Sequence, residues 1–499
     1  MNWILTADIG TTALKAAIFR EDGSLAASAS QEYAFLTPGP GMAELPAERY
    51  LDTFRETVRQ VLAESGASPE EIRVLGLSTQ GETTVLLDQA GEPLMNAVLW
   101  CDTRAGAEAA EIVSAFGSRE IQRRSGQVGA DAIWPGAKLL WLKNHRPELF
   151  SRIARVLQLE GWFSLKLTGR AAGEDSILGS SIYFDINTRG WWREMLAFLG
   201  LREEQLPEIV LPGSIVGHLT EEAAASFGLS TGTALCIGGI DLSCGAVGVG
   251  NVRPGGFSDV TGTALCTVTM TDHIVLDPMG GMPCYCSAVP GLYMVHAYAS
   301  GGISLRWMRD LFHGTFSYDQ MDLLAADCPP GAEGLLSLPH FIGSGPPDLC
   351  PDMNGMLIGL TAAHTEKHLA RSLMEGVAMI LCRVLEATEA LAPVSDRILC
   401  LGGGAKSPVW CQIKADATGR EVVTTADSEN AGCLGAAILA GAAAGIFPDI
   451  ETAASQLVRE HARYLPDPEK RGLYRDLYRR YQQLMQCLLP VFQQTGQTG

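Results

Sequence analysis

Residues 8–18 read "DIGTTALKAAI": an acid closing an apolar strand, a Gly-Thr-Thr turn, and a return into strand-like residues. Residues 259–269, "DVTGTALCTVT", repeat that order of acid, apolar residue, Gly/Thr turn, Ala-Leu and second strand. One copy opens each half of a 499-residue chain, as a duplicated domain would. A chain of this length exceeds a single hydrophobic core. The repeat therefore predicts two domains, residues 1–249 and 250–499, joined near "GVGNVRPGG" at 248–256.

Around the repeat, short apolar runs alternate with amphipathic ones. "RVLGLS" (73–78), "TVLLD" (84–88) and "NAVLW" (96–100) read as strands, with "QAGEP" as a hairpin turn between the last two. Tyr50, Phe54, Val58 and Leu62 fall at helical spacing after Pro46, which predicts a helix over 47–65. A closing helix is expected over about 468–490, packed on the second domain. Strands interleaved with helices give an α/β fold of mixed sheets.

The net charge of −19 and the lack of a long basic run exclude a nucleic-acid surface, since phosphate backbones are held by clustered Lys and Arg. The stretch "AGCLGAAILAGAAAGIF" at 431–447 is uncharged but short for a bilayer and rich in Gly and Ala, so it reads as a buried helix rather than a membrane span. The opening "MNWILTADIG" has no basic segment before its apolar residues and does not predict a signal peptide. The 13 cysteines are scattered without a C-x-x-C pair, which predicts free buried thiols in a cytoplasmic protein.

A Gly/Thr turn between two strands gathers backbone N–H groups and hydroxyls at one point, and glycine lets an anion approach the main chain. Each charge-assisted hydrogen bond contributes about 1.5–3 kcal/mol, so a few such donors hold a polyphosphate without a basic patch. Either loop alone reads equally as a plain hairpin; a pair, one from each domain, can close on one nucleotide from opposite sides. No G-x-x-x-x-G-K-[ST] occurs and no G-x-G-x-x-G opens a helix after the first strand, which excludes the P-loop class and leaves a Rossmann dehydrogenase unsupported. After the strand "RILCL", Gly402, Gly403 and Gly404 would let a flat ring lie against the backbone.

In "CIGGIDLSCGAVGVG" (236–250) an apolar strand delivers Asp241 into glycine-rich surroundings. Phosphoryl transfer to an alcohol needs one acid to accept the hydroxyl proton, with Mg2+ shielding the phosphates. Asp241 is the candidate base; the competing reading is a helix N-cap. Gln80 and Glu82 in "LSTQGETTVLLD" suit recognition of hydroxyls, because a carboxylate accepts two hydroxyl hydrogens and an amide both gives and accepts. Trp134 either stacks on a carbon backbone or fills the core. Asp102 and Arg104 are expected to form a structural ion pair beside the site.

The chain resembles the FGGY family of carbohydrate kinases, which includes xylulokinases and glycerol kinases. The resemblance runs through "DIGTTALK", "TQGETTVLLDQAGEPLMNAVLWCDTRA", "GGIDLSCGAVGVG", "DVTGTALC", "GMLIGLTAAHTEKHLARSLMEGV" at 355–377 and "LGGGAKSPVW". It implies two actin-like domains with a ribonuclease H-like core, and ATP and Mg2+ in the cleft between them. It also implies the roles of individual residues. Asp241 takes the base position, and Asp8 helps to hold the metal with it. Gly10, Thr11, Thr12 and Lys15 form the first phosphate loop; Thr261, Gly262 and Thr263 form the second, with Gly302 beside it; Gly402, Gly403, Gly404 and Ala405 face the adenosine. Gln80, Gly81, Glu82 and Trp134 line the sugar site.

Gly81 stands where glycerol kinases carry arginine, and Leu242 where an amide follows the base. "GSGPPDLCPD" replaces the family's Gly-Glu-Arg turn. A side chain lost at 81 is expected to enlarge the pocket, favouring a pentose-sized ketose such as xylulose over glycerol. The implied partner is a small sugar or polyol, with neither nucleic acid nor membrane; a homodimer is compatible with the sequence. A sugar- and ATP-responsive binding protein of the same shape is the alternative, and an ATPase that moves a partner chain is a third.

Overall fold

The computed structural model describes residues 2–495. Each half of the chain builds one main sheet, beside smaller ones. The first runs in the order Ser214–His218, Ala234–Ile240, Ile72–Thr79, Trp3–Ile9, Ala13–Arg20, Leu25–Glu32. The second runs Cys284–Cys286, Tyr293–Ser300, Ala264–Thr271, Phe257–Thr261, Arg397–Leu401, Glu421–Thr425, Glu460–Tyr464. Read outward from the strand that carries the repeated acid, both continue antiparallel on one side, through two strands in the first sheet and three in the second. On the other side both have two parallel strands and then an antiparallel edge. The internal repeat of the sequence is therefore a repeat of topology.

Within Trp3–Ile9, alternation assigns the faces. Trp3, Leu5, Ala7 and Ile9 join a core covered by helices Ala47–Ser65 and Leu159–Thr168. Ile4 faces the opposite core, and Thr6 and Asp8 share its face by period two. The helix over 47–65 appears with the expected bounds and with Pro46 at its N-cap. The closing helix, Arg471–Thr495, packs through Tyr474, Leu477, Tyr481 and Met485 on the second core. "NAVLW" is strand only over Ala97–Val98, and its last residue turns out toward the cleft.

The opposite face of the first sheet is covered from the other half of the chain. Helix Ala431–Ala443, formed by the Gly/Ala-rich stretch, places Cys433, Leu434, Ala437, Ile438 and Ala440 in one cluster with Ile4, Ala17, Phe19, Val74 and Cys236. A division at 249/250 separates the two sheets but not the two cores. The small residues serve this contact. A Cβ on Gly76 would stand 2.7 Å from the Ala436 carbonyl oxygen, and one on Gly435 would stand 1.8 Å from that of Cys244. Cys244 lies on helix Asp241–Gly248, so these two helices cross with their backbones in contact.

Among the described residues no helix is long and apolar enough to cross a membrane. All 13 cysteines are unpaired, most of them buried.

Candidate active site

Asp8 is the penultimate residue of its strand and Asp259 the middle residue of Phe257–Thr261, and their surroundings differ. Asp8 accepts a hydrogen bond from Ser78 Oγ at 2.7 Å and faces the first turn of helix Ala431–Ala443, where a Cβ on Gly432 would stand 2.5 Å from its Oδ2. Burial raises its pKa, against the opposing effects of Ser78 and Lys15. Asp259 is fully buried and meets the equally buried ammonium of Lys414 at 2.5 Å; Lys414 also donates to Thr261 Oγ1 at 2.7 Å. Removing one partner of such a pair leaves an uncompensated buried charge. Lys414→Met is thus expected to cost about 3–5 kcal/mol in urea unfolding. The Lys414→Met, Asp259→Leu double variant should recover most of that loss.

Asp241 is the first residue of helix Asp241–Gly248, immediately after strand Ala234–Ile240. The N-cap position belongs to Ile240, and the Asp241 carboxylate accepts only the N–H of Leu242, at 2.6 Å. Burial and then the charge of Asp8 push its pKa up to about 7, with a smaller contribution from Glu82. Glu82 sits at φ 56, a left-handed backbone costly for a non-glycine residue, and burial also pushes it up to about 7. Three carboxyls thus influence one another across the cleft. The Asp8–Asp241 pair suits a divalent cation, which would relieve their mutual repulsion. No group of three or more potential ligands occurs among the described residues. A cation here would take the rest of its coordination from phosphate oxygens and water.

The Gly10–Thr12 turn is clamped from below. The Gly10 carbonyl accepts from Tyr33 Oη and from Gln80 Nε2, the latter at 3.1 Å, and Gln80 Nε2 also donates to Tyr50 Oη at 3.1 Å. The Gln80 amide nitrogen therefore supports the loop, while its buried Oε1 has no partner. Thr11 Oγ1 accepts from the indole N–H of Trp100 at 2.7 Å, and Thr12 is exposed. Lys15 turns to the backbone carbonyl of Glu429, whose carboxylate pairs with Lys406, so this lysine ties the two halves together.

In the second loop Gly262 and Thr263 line open space, but the Thr261 hydroxyl is spent inward, donating to Asp259 at 2.7 Å. Gly302 packs on this loop, with its N–H donating to the Gly262 carbonyl at 2.7 Å. Arg306 in helix Ile303–Leu311 donates to Thr263 Oγ1 at 2.8 Å. Gly402 and Gly404 are small for a different reason than room for a ring: Cβ atoms there would stand 3.0 Å from the Thr261 carbonyl oxygen and 2.7 Å from its Cβ. Gly403 is exposed, and Ala405 is buried beneath it.

On the sugar side the space at Gly81 is already filled. A Cβ there would meet Ile240 Cδ1 at 2.7 Å, so the absent side chain does not widen the pocket. Trp134 is buried in an apolar cluster with Ile240, Ile182 and Tyr285, which is the core-filling alternative. Asp102 and Arg104 do form a buried pair, at 2.7 Å, extended by Glu44. From the second sheet Tyr285, His296 and Tyr298 form an aromatic row, and the "GSGPPDLCPD" loop presses on Tyr298 through Gly345. Trp100, Ser78, Arg306, Lys414 and Gly432 carry no motif signal of their own; Lys414 lies in the middle of helix Pro408–Thr418, and the others sit near a strand end or in the first turns of a helix.

Two similar lobes, with a glycine and threonine turn from each and a half-buried acid at a helix start between them, define an actin-like ATP-dependent phosphotransferase. Models of the FGGY family of carbohydrate kinases match the chain, its N-terminal domain over residues 3–248 and its C-terminal domain over 258–444, and the protein belongs to that family. A probable L-xylulose kinase of Pasteurella multocida is 30% identical over 498 residues, covering 98% of this chain and 99% of the relative. An autoinducer-2 kinase of Salmonella typhimurium is 28% identical over 517 residues, covering 97% and 94%. The crystal structure of a xylulose kinase from Rhodospirillum rubrum superposes with a TM-score of 0.90 at 28% identity, covering 99% of this chain and all of that one. The protein is an ATP-dependent carbohydrate kinase.

Proposed function

We propose that this kinase phosphorylates a hydroxyl of a pentose-sized ketose, with Asp241 as the general base. The observation that carries the reading is the half-buried Asp241 carboxylate at a helix start, with Leu242 N–H as its hydrogen-bond partner and Asp8 and Glu82 as charged neighbours. A carboxylate held this way can accept the hydroxyl proton as the sugar oxygen attacks the terminal phosphoryl group of ATP. The oxygen–phosphorus bond to the sugar forms as the bond to the departing ADP breaks. Mg2+ held by Asp8 and Asp241 would neutralise the phosphate charge. Glu82 accepts sugar hydroxyls, and the Gly10–Thr12 and Gly262–Thr263 turns supply N–H groups to the phosphates. Closure of the lobes excludes water as a competing acceptor.

The ketose reading is supported by Leu242 in place of an amide and by the kinship with a probable L-xylulose kinase. It no longer draws on Gly81, because Ile240 fills that space. ADP release is to be measured with D-xylulose, L-xylulose, D-gluconate and glycerol. Highest kcat/KM with a xylulose supports the reading, and highest kcat/KM with glycerol or gluconate overturns it. Arg306 is assigned to the ATP phosphates. Arg306→Ala should raise KM for ATP roughly tenfold or more, the equivalent of one charge-assisted hydrogen bond, with little change in KM for the sugar.

A further inference from the structure

Glu82 and Asp241 arrive on different strands, yet one short turn stands behind both. Glu174 is fully buried and its carboxylate accepts three hydrogen bonds: from Ser176 Oγ at 2.7 Å, Ile177 N at 2.7 Å and Ser176 N at 2.8 Å. Ser176 Oγ in turn accepts from the N–H of Ile240 at 3.0 Å, the residue before the base. On the other side of the turn, the Ile177 carbonyl accepts from Gln158 Nε2 at 2.8 Å, and Gln158 Oε1 accepts from the N–H of Glu82 at 3.0 Å. Ser180 Oγ closes the turn onto the same Ile177 carbonyl at 2.7 Å.

We propose that Glu174 is a positioning residue for the reaction: through Ser176 it sets the backbone at Asp241, and through Ile177 and Gln158 it sets the backbone at Glu82. The inference rests on the assignment of Asp241 as base and Glu82 as sugar ligand. Capping the four-residue helix Asp175–Leu178 is the simpler role for Glu174, but a cap needs only the N–H groups of Ser176 and Ile177. The bond from Ser176 Oγ and its continuation to Ile240 lie outside that role. Glu174 Oε1 accepts from both the Ser176 hydroxyl and the Ile177 N–H, which commits that hydroxyl hydrogen to Glu174 and leaves its lone pair aimed at Ile240; burial pushes the Glu174 carboxyl up to about 8, and a proton on Oε2 leaves both of these bonds in place. The left-handed backbone at Glu82 needs such support, since nothing intrinsic to a glutamate favours it.

The two branches make separable predictions. Ser176→Ala should lower kcat about tenfold, a fraction of the loss that a 1 Å misplacement brings, with KM for ATP and sugar unchanged. Gln158→Leu should raise KM for the sugar by about the same factor with KM for ATP unchanged. Kinetics are run with whichever of D-xylulose, L-xylulose, D-gluconate and glycerol the unsubstituted protein turns over best, so a wrong ketose reading changes the acceptor and not the test. Hydrogen exchange at the Ile240 amide, measured without sugar, should quicken in Ser176→Ala and stay slow in Ser176→Thr, which keeps the hydroxyl. Unchanged exchange in Ser176→Ala overturns the inference outright. Quickened exchange with unchanged kcat overturns it as well, and Asp241→Asn, which tests the base assignment directly, separates that failure from a wrong base. Should Gln158→Leu fail to fold, Gln158→Glu replaces it: losing the donor to Ile177 should still raise KM for the sugar, and an unchanged KM overturns that branch.

Discussion

Asp241→Asn is expected to lower kcat by about 10²–10⁴-fold, the usual range for a lost general base. MgATP binding by calorimetry should persist in weakened form: the phosphate turns and the Gly403 face are untouched, while the metal loses one of its two carboxylates. The amide keeps the shape and can still accept from Leu242 N–H, so loss of fold is not expected to contribute. Near-normal turnover would remove the assignment. The pH profile gives a second reading of the same group. Asp241 works only when ionised, and burial beside Asp8 raises its pKa to about 7 in the free protein. kcat/KM should therefore fall as pH drops through that value and level off above it. Glu82 titrates in the same range and binds hydroxyl hydrogens best when ionised, so KM for the sugar should rise on the acid side. Bound Mg2+ favours both carboxylates in their charged forms, which moves the limb of kcat to lower pH than that of kcat/KM.

Gly435→Ala should be among the most damaging single methyls in the described residues. Its Cβ would stand 1.8 Å from the Cys244 carbonyl oxygen and 2.7 Å from the carbonyl carbon, so a backbone and not a flexible side chain must yield. Overpacking commonly costs about 1–3 kcal/mol and occasionally more, and a backbone clash belongs at the upper end. Thermal unfolding should show a clear drop in midpoint. The surviving folded fraction should also turn over slowly, because parting the two helices moves Asp241 at the head of one and Gly432, against Asp8, at the head of the other. Gly472→Ala is the control. No atom lies within 4 Å of a Cβ there, so stability should stay level or rise slightly. Equal effects of the two substitutions would show that the helix crossing tolerates separation.

The duplicated architecture could be read from residues 8–18 and 259–269, because a strand, a tight turn and a return strand are local in sequence. The helix over 47–65 was legible for the same reason: its apolar spacing and its proline lie within one element. What the sequence hid is contact between distant elements. The Gly402–Gly404 run looks like room for a ligand until Thr261 is found packed on it. Gly81 looks like an opening until Ile240 is found filling it. Thr261 matches a phosphate-loop position, but Lys414, more than a hundred residues away, together with Asp259, draws its hydroxyl into the core. Gln80 was read as a sugar ligand, and its amide nitrogen holds the Gly10 carbonyl and Tyr50 instead. Lys15 follows the first turn as a phosphate ligand would, yet its ammonium reaches across to Glu429. In each case the residue type was informative and its partner, set by tertiary packing, was not.

Because helix Ala431–Ala443 completes the hydrophobic floor of the opposite sheet, residues 1–249 are not a self-sufficient unit: the later part of the chain acts as their clasp. Expressing residues 1–249 alone should yield an insoluble polypeptide, whereas a nick in the linker around 250 should leave the pieces bound to each other.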